Sequence, residues 1–492
     1  MSGNGLSTSQ SNLQSKQAKK LPQYIAAFSG LLGSLSAGAV LGWTGNITEE
    51  LRKGEFNNIE IAPTDIKWIG SCATLGAMLL CFPTGFLCEK LGRKTAILVL
   101  AALFIIGWLF IIFANSVGLM YVGRIITGMA SGAFLPASAV YLSEVAEKEI
   151  RGKIVTIGGC LPVGIMVAYT LGYVLPIKIY TIVSALIPVV FLITFLFQPE
   201  TPIYSMRKGK EAEARSALIR LRGSSYNIDA ELKEIKTAIE RDRKSKVSFK
   251  DSLMKRSTRR AALISFSLMF FQQASGIKAT VFYTSNIFQA SGADLNPKIA
   301  TTVIGVVQLI STLVSSLVVD RLGRRILLLL SGAFMAIGLI ILGIFYTLFE
   351  RSLVSPETLS SLGFMPLLGL SLFNIAFPLG YGPIAWMICG EIFPPEIKGV
   401  ATAAASTFNW FIAFIITNLY FDLKQAIGGD LAFYLFATVC TVGVFFVFFV
   451  VPETKGKSLY EIQMELEGTK EQLGGVENTG FNMKNINSYG TK

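Results

Sequence analysis

Histidine is absent from all 492 residues, and only 15% of the chain is charged. The first absence removes the commonest metal ligand and the side chain that ordinarily titrates near neutral pH. The second, beside a 52% share of hydrophobic residues, excludes a water-soluble protein of this length and points to a chain that crosses a membrane many times. Cysteine is sparse: Cys72, Cys81, Cys88, Cys160, Cys389 and Cys440 all lie in apolar runs without zinc-type spacing. Neither a disulfide framework nor a metal site is expected from them. Nucleophile–base pairs, phosphate-cradling glycine loops and basic patches interleaved with aromatics are also missing, which argues against an enzyme, a cofactor and a nucleic-acid partner.

What the chain has is long apolar runs. Windows of about 20 residues, the length that crosses a bilayer, fall at 24–44, 67–88, 95–114, 118–143, 153–175, 178–198, 261–289, 298–319, 326–349, 363–390, 400–421 and 432–452. Six precede and six follow a long polar loop, and an even number puts both termini on one side. The predicted fold is an all-α membrane protein with twelve transmembrane helices in two six-helix bundles and short cytosolic helices between them. Its parts are a disordered tail at 1–20, a bundle at 21–202, a helical linker at 203–258, a second bundle at 259–453 and a tail at 454–492 without a recognisable folded segment. The first twenty residues lack an apolar segment before a cleavage site, so the first span is read as uncleaved.

Basic residues orient the chain. Lys16, Lys19 and Lys20, the 89–94 and 144–153 loops, Arg321 to Arg325 and the 203–260 loop share one face, while the loops near 114–118, 291–297 and 422–430 carry few positive charges. The positive-inside pattern makes the basic face cytosolic, and the net charge of +12 reports topology. Within the linker, Glu211 to Arg222 and Ala230 to Asp242 combine mixed charge with Leu218, Leu221, Leu232 and Ile235, which predicts short surface helices. Asn46-Ile47-Thr48 follows the first span on the other face and fits an N-glycan acceptor.

The basic-face motifs occur twice in one order. Gly85, Glu89, Gly92, Arg93 and Lys94, then Glu144 with Arg151-Gly152, then Pro199-Glu200-Thr201, are followed by Asp320, Gly323, Arg324 and Arg325, then Glu391 with Lys398-Gly399, then Pro452-Glu453-Thr454. A duplicated membrane-embedded half is the raw material of a rocking transporter. Carboxylates and cations at span ends persist when paired or hydrated. We therefore expect Glu89, Arg93, Glu144 and Arg151 to meet Asp320, Arg324, Arg325, Glu391 and Lys398 across the seam between halves, closing the cytosolic side in one state. In the seventh span, Gln272 and Gln273 offer hydrogen-bond donors and acceptors together at membrane depth, as a polyhydroxylated solute requires. Gly276 and Gly382-Pro383 weaken their helices, marking hinge positions.

With these motifs, Gly123-Arg124, Gly128, Gly132, Tyr141, Pro199 to Pro202, Gln272-Gln273 with Gly276, Trp386, Asn409-Trp410 and Pro452 to Gly456, the chain resembles the sugar porters of the major facilitator superfamily from its first span to about residue 463. Leu41-Gly42-Trp43-Thr44, Gln308 and Asn409-Trp410 resemble the insect-type facilitated trehalose branch, beside the facilitative glucose branch. The resemblance implies that Gln272, Gln273, Trp386 and Asn409 contact substrate, that Gln308 shares the cavity, and that 276–284, with Gly276 and Tyr283, forms part of an outer gate. Plain packing also fits Tyr283 and Trp410. Four positions depart from the family: Lys278 replaces an asparagine, Gly158-Gly159 the fifth-span glutamine, Pro378 a polar residue, and Ala139 a proline. Lys278 fits a wet cavity or an acidic solute.

Proton-coupled porters place an acid in the first span. Between Tyr24 and Thr48 the only ionisable side chain is Tyr24 itself. The expectation is a plasma-membrane uniporter for a neutral sugar, with both termini cytoplasmic: trehalose first and a hexose such as glucose second. A proton-coupled or organic-anion symporter and a sugar sensor stay as alternatives. The only partners expected are that small solute and the lipid bilayer.

Overall fold

Lipid offers the backbone no hydrogen bonds, and a helix satisfies its N–H and C=O groups within one segment, so the apolar runs fold as helices. The computed structural model describes residues 18–244, 249–290 and 296–467, excepting the side chains at 63, 241–244, 249–251, 290, 320 and 395. Among the described residues it is all helix and loop, without strands. The tails expected at 1–20 and 454–492 thus lie largely outside the described residues.

The first half comprises α1 (Leu21–Gly42), α2 (Pro63–Cys81, continued by Pro83–Leu91), α3 (Arg93–Ile112), α4 (Val117–Val145), α5 (Arg151–Gly158 and Leu161–Val174) and α6 (Ile177–Leu196). The second comprises α7 (Arg256–Ala274 and Ile277–Ala290), α8 (Pro297–Leu322), α9 (Arg324–Glu350), α10 (Met365–Leu379 and Tyr381–Ile392), α11 (Pro395–Ile427) and α12 (Gly429–Val450). Ten of these spans are long and apolar enough to cross a bilayer, and α2, bent by 52° at Pro83, makes an eleventh. The twelfth, α7, is less apolar because Ser265, Gln272, Gln273, Ser275, Lys278 and Thr280 lie along it.

Packing repeats with the sequence. In the first half α1 packs on α4 and α5, α2 on α4, and α3 on α4 and α6; six spans later α7 packs on α10 and α11, α8 on α10, and α9 on α10 and α12. The seam obeys the same relation, with α2 against α11 and α5 against α8. This is the twelve-helix, two-bundle architecture expected from the duplicated motifs.

The linker helices form at Glu211–Arg222 and Ile228–Lys244, close to the predicted segments. Ala214, Leu218, Ile228 and Leu232 bury one another, and Arg222 fixes the pair to the end of α4 by donating to the Val145 carbonyl at 2.7 Å. One expectation is corrected: the chain after Glu453 does hold a folded segment, the helix Leu459–Glu467. Ser458 caps it reciprocally, its N–H donating to Glu461 and its Oγ accepting from the Glu461 N–H. Ile462 and Leu466, four apart, bury against the second half.

Candidate functional site

The breaks in α7 and α10 bring polar groups together inside the second bundle. Gly276, at φ +86°, interrupts α7, and Gly380 interrupts α10 at φ −140°, ψ −83°. The break in α10 therefore lies two residues before the hinge expected at Gly382-Pro383. A Cβ at Gly380 would sit 2.3 Å from the Ser331 Cβ, so close packing on α9 fixes where the helix parts. The Gln272 amide donates to two carbonyls of the second α10 segment, Tyr381 at 2.7 Å and Gly382 at 3.0 Å. Its Oε1 accepts from Asn409 Nδ2 at 2.7 Å and from Gln273 Nε2 at 3.3 Å, and Gln273 Nε2 also donates to Asn409 Oδ1 at 2.9 Å. All three residues are buried, and among the described residues Gln273 Oε1 and the Tyr381 hydroxyl are left without partners. An unsatisfied buried acceptor beside a polar cluster is available to a solute hydroxyl.

Other expected site residues stand apart from this cluster. Gln308 is buried on α8, and no hydrogen bond joins its side chain to the amides. Trp386, on the second segment of α10, is 37% exposed, which leaves an indole face accessible. Lys278 lies over the Trp410 ring, its Nζ 5.0 Å from the centroid, so a cation–π contact holds it there instead of letting it snorkel away. Among the described residues it has no carboxylate partner. Arg124 in the first half is likewise without a carboxylate and donates to the carbonyls of Ile69 at 2.9 Å and Val40 at 2.7 Å.

The face opposite the charged motifs is closed by bonds between halves. Lys67 pairs with Asp422 at 2.7 Å, Asn418 Nδ2 donates to Ser71 Oγ at 3.1 Å, Lys298 pairs with Glu50, and the Tyr169 hydroxyl donates to the Val281 carbonyl at 2.6 Å. Tyr283 is kinked out of helical geometry at φ −126°, ψ 24°, and its buried hydroxyl lies 3.4 Å from the carbonyls of Lys67 and Thr417. Gly70 admits it, since a Cβ there would come within 2.5 Å of the Tyr283 hydroxyl. Asn46 is packed at the same end, within the first half, and corrects the glycan expectation. Its side chain is 1% exposed and donates to the Tyr169 carbonyl at 2.6 Å, because the helix runs on through Trp43–Gly45 and carries the tripeptide into the packed end of the bundle. A glycan has no access to that nitrogen.

On the basic face of this structure, whose opposite face is closed, the charged motifs assemble twice, each time within one half; the contacts across the seam were expected for the state closed on the cytosolic side. Arg93 pairs with Glu144 at 3.1 Å, and Thr201 Oγ1 donates to the same carboxylate at 2.5 Å. Arg324 pairs with Glu391 at 3.4 Å, and Thr454 Oγ1 donates to it at 2.6 Å. Glu200 accepts from the backbone N–H groups of Arg93 and Lys94 at 3.1 Å, and Glu453 from those of Arg324 at 2.9 Å and Arg325 at 3.0 Å. The reason is local: Gly92 and Gly323, at φ +104° and +93°, turn those N–H groups onto the glutamates, where a Cβ would meet the carboxylate at 2.4 Å and 2.7 Å. Burial pushes the Glu453 carboxyl up, but the N–H donors of Lys455, Arg324, Arg325 and Thr454 together hold it below its ordinary value. Glu200, Thr201, Glu453 and Thr454 were not among the candidate residues, although the doubled Pro-Glu-Thr motif carried the signal. Lys94 and Arg325 point elsewhere, donating to the terminal carbonyls of α6 and α12, Leu196 and Phe448. Glu89, Arg151 and Lys398 are exposed, and their side chains make no bond among the described residues. The side chain of Asp320 lies outside the described residues.

The sugar (and other) transporter family matches residues 18–466. A facilitated trehalose transporter of Polypedilum vanderplanki is 35% identical over 470 residues, covering 94% of this chain and 92% of the relative. One of Aedes aegypti is 36% identical over 470 residues and 94% of this chain, which spans only 57% of that longer protein. Among solved structures, the xylose transporter XylE from E. coli in a partially occluded inward open conformation matches at a TM-score of 0.73 and 21% identity, over 89% of this chain and 99% of that one. The last likeness concerns the fold.

Proposed function

The chain belongs to the sugar (and other) transporter family, and from that membership we propose that it carries a neutral sugar downhill across a membrane by alternating access, trehalose first and a hexose such as glucose second. The observation that carries this reading is the Gln272–Gln273–Asn409 cluster, which gathers amide donors and acceptors inside the second bundle at two helix breaks. A sugar stripped of water needs such replacements for each hydroxyl, and the exposed Trp386 indole suits the C–H face of a pyranose ring. The halves at 21–202 and 259–453, linked by 203–258, rock about the seam formed by α2 with α11 and α5 with α8. With the opposite face bonded shut, the solute enters from the basic face, which the positive-inside pattern makes cytosolic. Tyr283 and the break at Gly276 supply the outer gate, and the plasma membrane suits uptake of an extracellular sugar.

Downhill transport rests on the first span. No acid lies on α1, and among the described residues the Arg124 guanidinium bonds only backbone carbonyls, through Nε and Nη1, so no carboxyl–guanidinium pair is present there for a proton to break. A second reading follows from Lys278, whose ammonium at the Trp410 ring would attract a solute bearing a carboxylate. Counterflow in liposomes containing the purified protein, with trehalose, glucose, polyols and small acids compared with and without a pH gradient, separates these readings. Trehalose exchange independent of the gradient supports the uniporter. Uptake that collapses without a proton gradient, or counterflow confined to acids and lost in Lys278→Gln, overturns it.

A further inference from the structure

A cavity of about 400 Å³ opens on the basic face, away from the amide cluster, where α7 and α9 begin, α12 ends and the helix Leu459–Glu467 docks. Its walls include Arg260, Leu263, Arg325, Phe449, Glu465 and Leu466. The two guanidiniums are held in place by carbonyls: Arg260 Nη1 donates to Leu466 at 3.0 Å, and Arg325 Nη2 donates to Phe448. Arg325 Nε is buried without a partner among the described residues. Among the described residues neither guanidinium pairs with a carboxylate, and the one acid in the wall, Glu465, is held by Lys457 at 2.6 Å.

Two uncompensated guanidiniums at the end of membrane spans form an anion site, because their remaining N–H groups match the oxygens of a phosphate. The apolar wall decides which phosphate. Leu263 is 57% exposed and Phe449 76% exposed, both on the membrane-facing ends of their helices, and such surface suits acyl chains. Basic pockets between spans at this depth recognise acidic lipid headgroups.

We propose that this cavity binds one acidic phospholipid of the leaflet on the basic face, its phosphate between Arg260 and Arg325 and its acyl chains along Leu263 and Phe449. The bound lipid bridges α7, α9 and α12 and, through Arg260 and Leu466, clamps the C-terminal helix to the second bundle. Residues of the amide cluster take no part, so the site stands or falls independently of what is transported.

Lipid retention tests it. The full-length protein is purified in detergent, washed free of lipid, given phosphatidylglycerol or phosphatidylcholine, and examined by native mass spectrometry and thermal unfolding. One phosphatidylglycerol per chain is expected to survive, with a higher unfolding temperature, while phosphatidylcholine washes out. Arg260→Gln should lower retention about fivefold, the worth of one basic residue at a lipid surface, Arg260→Lys should restore most of it, and Arg256→Gln, an exposed arginine outside the cavity wall, should leave it unchanged. Equal retention of both lipids overturns the site, as does an equal loss in Arg256→Gln, unchanged retention in Arg260→Gln, or the same thermal gain from inorganic phosphate alone.

Discussion

Gln272, Gln273 and Asn409 hold one another through bonds of 2.7 to 3.3 Å, so in the proposed site an entering hydroxyl would exchange with existing bonds as well as meet Gln273 Oε1, unpartnered among the described residues. Asn409→Ala removes a donor to Gln272 and an acceptor from Gln273. At about 0.5–1.5 kcal/mol net for each neutral hydrogen bond, the half-saturation concentration for the preferred sugar should rise between about twofold and tenfold for one bond lost to substrate. Concentration-dependent counterflow in liposomes measures this, and an unchanged value would place Asn409 outside the sugar's reach. At this scale the sequence was informative where chemistry clashed with context: two glutamines in an apolar span stood out because a buried amide needs partners. It was uninformative where context alone decides. Asn46-Ile47-Thr48 reads as a surface tripeptide, yet its exposure depends on how far α1 continues, which no local pattern encodes. Lys278 showed itself as an anomaly, but its neighbour Trp410 lies more than a hundred positions along the chain and becomes a partner only through the fold.

The elements that serve the site are the broken ones. Hydropathy windows located the spans because bilayer thickness sets their length, but a window averages over a break and cannot place it. The break in α10 shows why: Gly382-Pro383 carries the residues that weaken a helix, whereas the chain parts at Gly380, the position whose missing Cβ lets α10 touch Ser331. The helix Leu459–Glu467 was legible in principle from its Ser458–Glu461 capping box, but its two buried residues, Ile462 and Leu466, gave too weak a period beside the polar sequence that follows. Gly276 is the sharper test of an element. At φ +86° with Phe436 ring carbon 2.9 Å from the site of a Cβ, Gly276→Ala forces a left-handed conformation on a side-chain-bearing residue and crowds an aromatic ring. The left-handed term alone costs about 1–2 kcal/mol. The unfolding temperature in detergent should fall and transport should slow, whereas Gly390→Ala, in a helix with no atom within 4 Å of the new methyl, should match the unchanged protein. Equal behaviour of the two variants would mean that α7 does not need its break.

For the whole molecule, the duplicated motifs foretold two halves, and with the opposite face closed the charges join within each half. Arg93–Glu144–Glu200 and Arg324–Glu391–Glu453 are each closed within a half, because the glycine preceding each arginine turns its N–H groups back on the local glutamate. These clusters therefore stiffen the ends of the two bundles as rigid bodies, and the bonds between bodies lie at the other face, in pairs such as Lys67–Asp422 and Ser71–Asn418. Exposed ion pairs contribute only about 0–1 kcal/mol, so that closure is weak enough to open in each cycle. A covalent bond is not. With α2 packed on α11 and the Ser71 and Asn418 side chains in hydrogen-bond contact at 3.1 Å, the pair Ser71→Cys with Asn418→Cys should form a disulfide under mild oxidation. The oxidised protein should lose sugar exchange and regain it on reduction, with each single variant unaffected by oxidant. If solute still crosses at the normal rate while the two halves are shown by gel shift to be tied together, rocking of rigid halves is not how this chain moves its cargo.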